Sequence, residues 1–232
     1  MQKLSGTSMI FSKKQYILYI LSLITLIFIS YFFVDKTIAK YFITNVATYE
    51  AIGDFISVAG ESHWYIATAI IGFVIFKFYK KNGLYAQRFL FLLYINIFSG
   101  LISLVLKQLF ARIRPWGLRN DGDEYGFLAF QNFDMGFVEK MKYHFITLAD
   151  APTTYTSFPS GHTTTVFAAF TFLTILFPKQ VYIWLSMAIV LASSRILAND
   201  HFLSDIFAGV LVGTLSTMYI YSKMRRKLEK DA

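Results

Sequence analysis

Three short segments of the sequence carry residue types that are suited to phosphate chemistry. The segments are Lys107-x6-Arg114-Pro115, Pro159-Ser160-Gly161-His162 and Ser194-Arg195-x5-His201-x3-Asp205. Cationic side chains, a hydroxyl and the free backbone N–H groups at the start of a helix would surround a phosphoryl group and offset its charge. We therefore expect a phosphate-binding site formed by Lys107, Arg114, Ser160, Gly161 and Arg195.

Two histidines are the candidates for the chemical steps. On a helix, His201 and Asp205 would share a face, so the carboxylate would orient the imidazole ring. His201 is then suited to attack phosphorus and form a phosphohistidine. His162 is suited to protonate the leaving oxygen and then to activate water. Because no Asp/Glu cluster accompanies these residues, we predict a mechanism without a metal and without any other cofactor.

The spacing within each segment also makes structural predictions. Seven positions are about two helical turns, which would place Lys107 and Arg114 on one side of a helix about 10 Å apart, and Pro115 would end that helix. Taken singly, the two cations could be interfacial anchors, Ser160-Gly161 a helix cap and His201–Asp205 a structural pair. Together they place many polar groups close to lipid, which favours a function.

The composition indicates the kind of fold that must position these residues. The 232-residue chain is 56% hydrophobic, and its mean hydropathy is +0.50, which is typical of a membrane protein with several spans. The net charge of +8 is distributed between apolar runs, so we predict no nucleic-acid partner. The absence of cysteine excludes thiolate chemistry. Six apolar segments cover residues 16–34, 63–78, 89–106, 163–177, 181–198 and 206–221.

We therefore predict an all-α, polytopic membrane protein with six transmembrane helices. Residues 1–232 would form a single domain, with a catalytic core at about residues 89–221. The polar stretch at about residues 116–158 would be a long extracytoplasmic loop between helices 3 and 4. Residues 35–62 are mixed in character and could hold a helix on the membrane surface.

The distribution of charge predicts the orientation of the spans. One side, which includes both termini and the turns after the second and fourth spans, holds 13 Lys/Arg and two acidic residues; the other side holds nine Lys/Arg and twelve acidic residues. Because Lys and Arg favour the cytoplasm, we expect both termini to be cytoplasmic and all three segments to face the extracytoplasmic side. The expected location is the inner (cytoplasmic) membrane of a bacterium.

The three segments, with these spacings, resemble the three-part signature of the type 2 phosphatidic acid phosphatase (PAP2) superfamily. The resemblance implies that His201 is the nucleophile, Asp205 its partner and His162 the acid and base, with the other five residues binding phosphate. It also implies six helices, independence from metals and inhibition by vanadate. The implied substrate is a lipid phosphate in the membrane, such as phosphatidic acid, phosphatidylglycerophosphate, undecaprenyl pyrophosphate or a lipid A type glycolipid.

The sequence also leaves two alternative functions open, and it suggests roles for several residues around the site. The same kind of pocket serves vanadium-dependent halide oxidation, although six apolar spans argue against that reading, and a non-catalytic protein could use it to bind or transport a lipid phosphate. Around the site we expect rim contacts from Arg112 and Arg119, an interfacial His63, a surface His144, and a turn or cap role for Asn199 and Asp200. The Phe-rich stretch from Phe127 to Phe145 would be an amphipathic segment on the bilayer or an ordered lid. The oligomeric state is left open.

Overall fold

The structure, a computed structural model, describes residues 12–119, 125–130 and 135–230. Within these ranges the chain forms nine α-helices. They are α1 (Lys13–Ile29), α2 (Asp35–Thr44), α3 (Val46–Ser57), α4 (Ser62–Val74), α5 (Gly83–Phe110), α6 (Phe137–Asp150), α7 (Gly161–Leu176), α8 (Val181–Leu197) and α9 (Leu203–Lys230). Short π-helical turns, Ser30–Val34 and Ile75–Tyr79, extend α1 and α4.

Helices long and apolar enough to cross a membrane account for most of the described chain. The five such stretches are Lys14–Thr44, Val46–Tyr79, Gly83–Phe110, Pro178–Leu197 and Leu203–Arg225, and α7 is apolar but shorter. Large apolar side chains point outward from them, including Phe33 at 77% and Phe55 at 82% exposure. Such a surface suits lipid rather than water. The predicted all-α, polytopic membrane fold is confirmed.

Helix α7 lies at the centre of the bundle, where it packs against α4, α5, α8 and α9. Two glycines on α9, spaced four residues apart, allow the backbones of α7 and α9 to approach closely. A Cβ added at Gly209 would lie 2.7 Å from the carbonyl oxygen of Ser160, and one at Gly213 would collide with the Thr164 carbonyl. Small residues with this spacing are typical of tightly packed membrane helices. The first turn of α7 is thereby fixed against α9.

Helix α5 ends earlier than its sequence suggests. Its last residue is Phe110, and Ala111 adopts a left-handed conformation with φ 44° and ψ 63°. The chain then runs extended through Arg112, which forms an isolated antiparallel bridge with Phe127. The prediction that Lys107 and Arg114 project from one helix is therefore wrong, and Pro115 is not the residue that ends it. Similarly, α9 begins at Leu203, so His201 precedes the helix that carries Asp205.

The segment between α5 and α7 contains the amphipathic helix α6. One face exposes Phe137 (79%), Val138 (79%) and Phe145 (57%), whereas His144 and Leu148 are buried. The imidazole Nε2 of His144 lies 2.7 Å from the carbonyl oxygen of Gln108, so the expected surface position of this histidine is wrong. The exposed apolar face suits a bilayer surface, and this role of α6 stays a prediction.

Two other secondary expectations have mixed outcomes. His63 is exposed and its Nδ1 lies 3.1 Å from the Glu61 carboxylate, as an interfacial histidine would be. The side chain of Arg119 and the whole of Phe133 lie outside the part of the chain that the structure describes.

Candidate active site

The extended chain that follows α5 brings Arg114 next to Lys107 by a route that helical spacing does not predict. The Lys107 ammonium, on the last turn of α5, donates a hydrogen bond to the carbonyl oxygen of Thr156. A guanidinium nitrogen of Arg114 lies 3.5 Å from the hydroxyl of the same threonine. Thr156 belongs to the segment that leads into α7, so it links both cations to the second segment of the signature.

Arg195 joins this group from the last turn of α8. Its guanidinium forms an ion pair with the carboxylate of Asp200, and a guanidinium nitrogen of Arg114 lies 3.1 Å from the other oxygen of that carboxylate. Both arginine side chains are partly buried, with exposures of 18% and 16%. Lys107, Arg114 and Arg195 thus form a single cluster of three cations, and Asp200 bridges two of them.

His201 lies at the edge of the cation cluster. The carbonyl oxygen of Arg195 accepts hydrogen bonds from the backbone N–H groups of Asp200 (3.0 Å) and His201 (3.2 Å), so the end of α8 holds the loop that carries the histidine. The side chain is 4% exposed. Burial, together with the nearby charges of Arg114 and Lys107, lowers the pKa of His201 to about 3. At neutral pH the imidazole is therefore uncharged, as a nucleophile must be.

Asp205 lies beside His201 but is mainly bound by other groups. Its carboxylate is 3.8 Å from Nδ1 of His201, which is longer than a hydrogen bond. The same oxygen accepts hydrogen bonds from the Ser157 hydroxyl (2.6 Å) and the Phe202 N–H (2.8 Å). Phe202 directly precedes α9, and Asp205 is the third residue of that helix. The bond from the Phe202 N–H to the Asp205 carboxylate therefore corresponds to one of the two bonds of a capping box, the one made by the side chain at the third position. Asp205 is therefore fixed firmly, with Nδ1 of His201 facing it and Nε2 directed elsewhere.

Arg112 holds the other oxygen of Asp205, and it is completely buried. Its guanidinium binds Asp205 through one nitrogen and Asp35 (2.8 Å) and Tyr125 (2.8 Å) through the other. Burial alone would lower the pKa of Arg112, but Asp205, Tyr125 and Asp35 outweigh this effect and raise it. The expected rim contact of Arg112 with a head group is wrong, because the side chain has 0% exposure and two carboxylate partners.

Ser160 and Gly161 begin α7 and lie next to the cation cluster. The Ser160 hydroxyl accepts hydrogen bonds from the N–H (3.3 Å) and hydroxyl (3.0 Å) of Thr163, so it caps the helix and retains its own proton for a further acceptor. A Cβ added at Gly161 would lie 3.5 Å from Cε of Lys107. The start of this helix, with its positive dipole end, is therefore directed toward the cations.

His162 follows in the first turn of α7, and its ring lies against the backbone of Gly60. Its Nε2 is buried and makes no hydrogen bond within the described residues. The charges of Arg195 and Asp200 act on this ring, as those of Arg114 and Lys107 act on His201. Both imidazoles therefore lie near the same charged cluster. The ring nitrogens without a hydrogen bond within the described residues are Nε2 of His162 and Nδ1 of His201, which faces Asp205.

All eight residues predicted from the signature thus lie at one end of the bundle, although their catalytic and binding roles stay predictions. The sequence analysis missed the groups that hold them, namely Asp35, Gly60, Thr156 and Ser157, and it gave Asp200 only a turn or cap role. Asp200 lies five residues from Arg195 and 86 from Arg114, so no local pattern in the sequence indicates that it pairs with both. Among the described residues, no group of three or more His, Cys, Asp or Glu could hold a metal ion.

Comparisons with known proteins show which family and which proteins the chain resembles. Residues 88–229 match the PAP2 superfamily. A lipid A 1-phosphatase from Rhizobium johnstonii is 28% identical over 185 residues, which cover 74% of this chain and 68% of the relative. A lipid A 4'-phosphatase from Porphyromonas gingivalis is 29% identical over 73% of this chain and 64% of the relative. The crystal structure of Aquifex aeolicus LpxE has a TM-score of 0.48 and 20% identity, covering 75% of this chain and 85% of that one.

The helical fold and the cation-lined site, with this family match, define an integral membrane phosphatase, a hydrolase of phosphoric ester bonds. The chain belongs to the PAP2 superfamily. The resemblance seen in the three segments is confirmed.

Proposed function

We propose that this protein removes a terminal phosphate from a lipid, with a lipid A type glycolipid as the first candidate, at the outer leaflet of the membrane. The observation that carries the proposal is the cluster of Lys107, Arg114 and Arg195, whose charges act on the rings of both His162 and His201. The names of the relatives support a lipid A substrate, since they act on the 1- or the 4'-phosphate. Phosphatidic acid, phosphatidylglycerophosphate and undecaprenyl pyrophosphate remain candidates to be compared.

The proposed reaction has two steps. In the first, Nε2 of neutral His201 attacks phosphorus, the bond from phosphorus to the lipid oxygen breaks, and His162 donates a proton to that oxygen. In the second, His162 takes a proton from water, the water oxygen attacks the phosphohistidine, and inorganic phosphate leaves while His201 is restored. The three cations would stabilise the additional charge on the phosphoryl oxygens, and Asp205 would stabilise the ring that carries the phosphoryl group.

The direct test is phosphate release by the purified protein from a panel of these four lipids. We expect His201→Ala to lower kcat by about 10⁴-fold and His162→Ala by about 10²- to 10⁴-fold. His63→Ala serves as the matched control, because His63 is exposed and paired with Glu61 away from the cations. Equal losses in all three variants would contradict the assignment.

The intermediate can be tested separately with ³²P-labelled lipid and rapid quenching. Radioactivity on the wild-type protein should be stable in base and labile in acid, as phosphohistidine is, and should be absent from His201→Ala. If the lipids bind but none of them releases phosphate, the result would support the non-catalytic alternative, a protein that binds or transports a lipid phosphate. Halide oxidation in the presence of added vanadate would instead support the peroxidase alternative.

A further inference from the structure

The carboxylate of Asp200 occupies the two guanidinium groups that the substrate phosphate would need. One oxygen lies 3.1 Å from a nitrogen of Arg114, and the other forms the ion pair with Arg195. A carboxylate and a phosphoryl group present similar oxygen atoms to a guanidinium, so the two compete for the same donors. Asp200 is also the residue directly before His201, which places this competition beside the proposed nucleophile.

The loop that carries Asp200 is held by backbone hydrogen bonds as well as by the two ion pairs. The backbone of Asp200 and His201 is already held by the carbonyl oxygen of Arg195. The Asp200 side chain is 21% exposed, so water can reach the carboxylate. Asp205 differs, because it is fully buried and is bound by three groups, the Arg112 guanidinium, the Ser157 hydroxyl and the Phe202 N–H. Because an incoming phosphoryl group would pair with the same two guanidiniums, its exchange with the carboxylate leaves neither arginine unpaired.

We propose that Asp200 acts as an internal competitor of phosphate, which occupies Arg114 and Arg195 when the site is empty and is displaced by the phosphoryl group of the substrate. The inference rests on the proposed function, because it takes Lys107, Arg114 and Arg195 as phosphate ligands. The three cations and Asp200 together carry a charge of +2, which balances a phosphate monoester dianion. Without Asp200 the charge would be +3, and the product, inorganic phosphate, would be held more tightly.

The test is the affinity of the full-length protein for inorganic phosphate, measured by titration calorimetry and as the inhibition constant against lipid hydrolysis. For Asp200→Asn we expect the dissociation constant to fall about tenfold, since an uncharged amide competes poorly with a dianion for two guanidiniums. Vanadate should show the same shift. Asp150→Asn, a change at an exposed acidic residue at the end of α6, is the matched control and should leave the affinity unchanged.

An unchanged or weaker affinity for phosphate in Asp200→Asn would overturn the proposal and leave Asp200 as a support of the loop. If the asparagine variant does not fold, Asp200→Ser provides the same loss of charge in a smaller side chain. Because calorimetry needs no turnover, the two proposals can fail separately. If Asp200→Asn binds phosphate more tightly but the protein hydrolyses none of the lipids, only the proposed function is contradicted. If the protein hydrolyses a lipid but Asp200→Asn binds phosphate with unchanged affinity, only the role of Asp200 is contradicted.

Discussion

At His201, burial and the nearby cations lower the pKa of the ring, and together they outweigh the Asp205 carboxylate, which acts to raise it. Burial, with the nearby charges of Arg114 and Lys107, lowers the pKa to about 3, whereas an unfolded histidine has a pKa of about 6.5. Between these two pH values the unfolded chain binds a proton that the folded chain does not. The contribution of His201 to stability is therefore complete above pH 6.5 and decreases as the pH falls toward 3.

We predict that His201 remains neutral at pH 5. The measurement is the ¹⁵N NMR spectrum of the ring nitrogens in histidine-labelled protein, with the signal assigned by its loss in His201→Gln. A titration midpoint near the ordinary histidine value would show that water reaches the ring and that the proposed nucleophile must first lose a proton at mildly acidic pH.

The residues proposed to react could be selected from the sequence, but their partners in the structure could not. Imidazoles and cationic side chains suit phosphate chemistry by their type alone. A pattern of residue types and spacings was therefore enough to select His162, His201 and the three cations. Asp200 and Asp35 were not recognised because an aspartate has no chemical meaning until its neighbours in space are known. The contact of Asp35 with Arg112 joins residues 77 positions apart, and no local pattern encodes it.

At the scale of helices, the six apolar runs could be predicted because a helix that crosses the hydrocarbon core needs about 20 consecutive apolar residues. The ends of the helices were not. Left-handed Ala111 stops α5 four residues before Pro115, although alanine has no special preference for that conformation. The extended chain beyond it is held by tertiary contacts, such as the hydrogen bond from the Arg114 N–H to the Thr154 carbonyl (2.8 Å). Tertiary structure therefore decides how Arg114 reaches the cation cluster.

The short turn between α3 and α4 supports His162 through a glycine, and this gives a prediction at the same scale. A Cβ at Gly60 would overlap the imidazole of His162 and lie 2.8 Å from a methyl group of Val166. Gly60→Ala should therefore displace the ring, and a displacement of about 1 Å lowers kcat by about 10²-fold. Phosphate release from the best lipid substrate measures the effect.

Gly100→Ala is the control for this change. Gly100 lies within α5, and a Cβ added there meets no other atom within 4 Å. Its activity should equal that of the wild type. Full activity of Gly60→Ala, with an unchanged melting temperature, would show that His162 can move without loss and would argue against its role as the acid.

At the scale of the whole molecule, the N-terminal helices are part of the site even though they precede the family match at residues 88–229. Asp35 begins α2, is 1% exposed, and accepts hydrogen bonds from Arg112 (2.8 Å) and from the Ser204 N–H (3.0 Å). Arg112 in turn binds Asp205. A chain of buried charges thus connects the first helices to the loop of His201.

We predict that Asp35→Asn destabilises the protein, because it leaves Arg112 buried with one carboxylate in place of two. Breaking a buried ion pair costs about 3–5 kcal/mol, which corresponds to a melting temperature lower by about 10 °C for a chain of this size. The measurement is thermal unfolding in detergent, with Asp54→Asn, a change at an exposed residue of α3, as the control. Equal melting temperatures for the two variants would mean that water reaches Arg112.

The unequal distribution of Lys and Arg predicts the orientation of the whole bundle, and the absence of cysteine from the sequence allows this prediction to be tested by labelling. Single cysteines can replace two exposed residues, Asp150 at the end of α6 and Lys179 in the turn between α7 and α8. The charge distribution predicts that these two positions lie on opposite sides of the membrane. In intact spheroplasts a membrane-impermeant maleimide should label Asp150→Cys at once and Lys179→Cys only after permeabilisation. The reverse pattern would place the cation cluster on the cytoplasmic face, and a lipid phosphate of the outer leaflet would then be out of its reach.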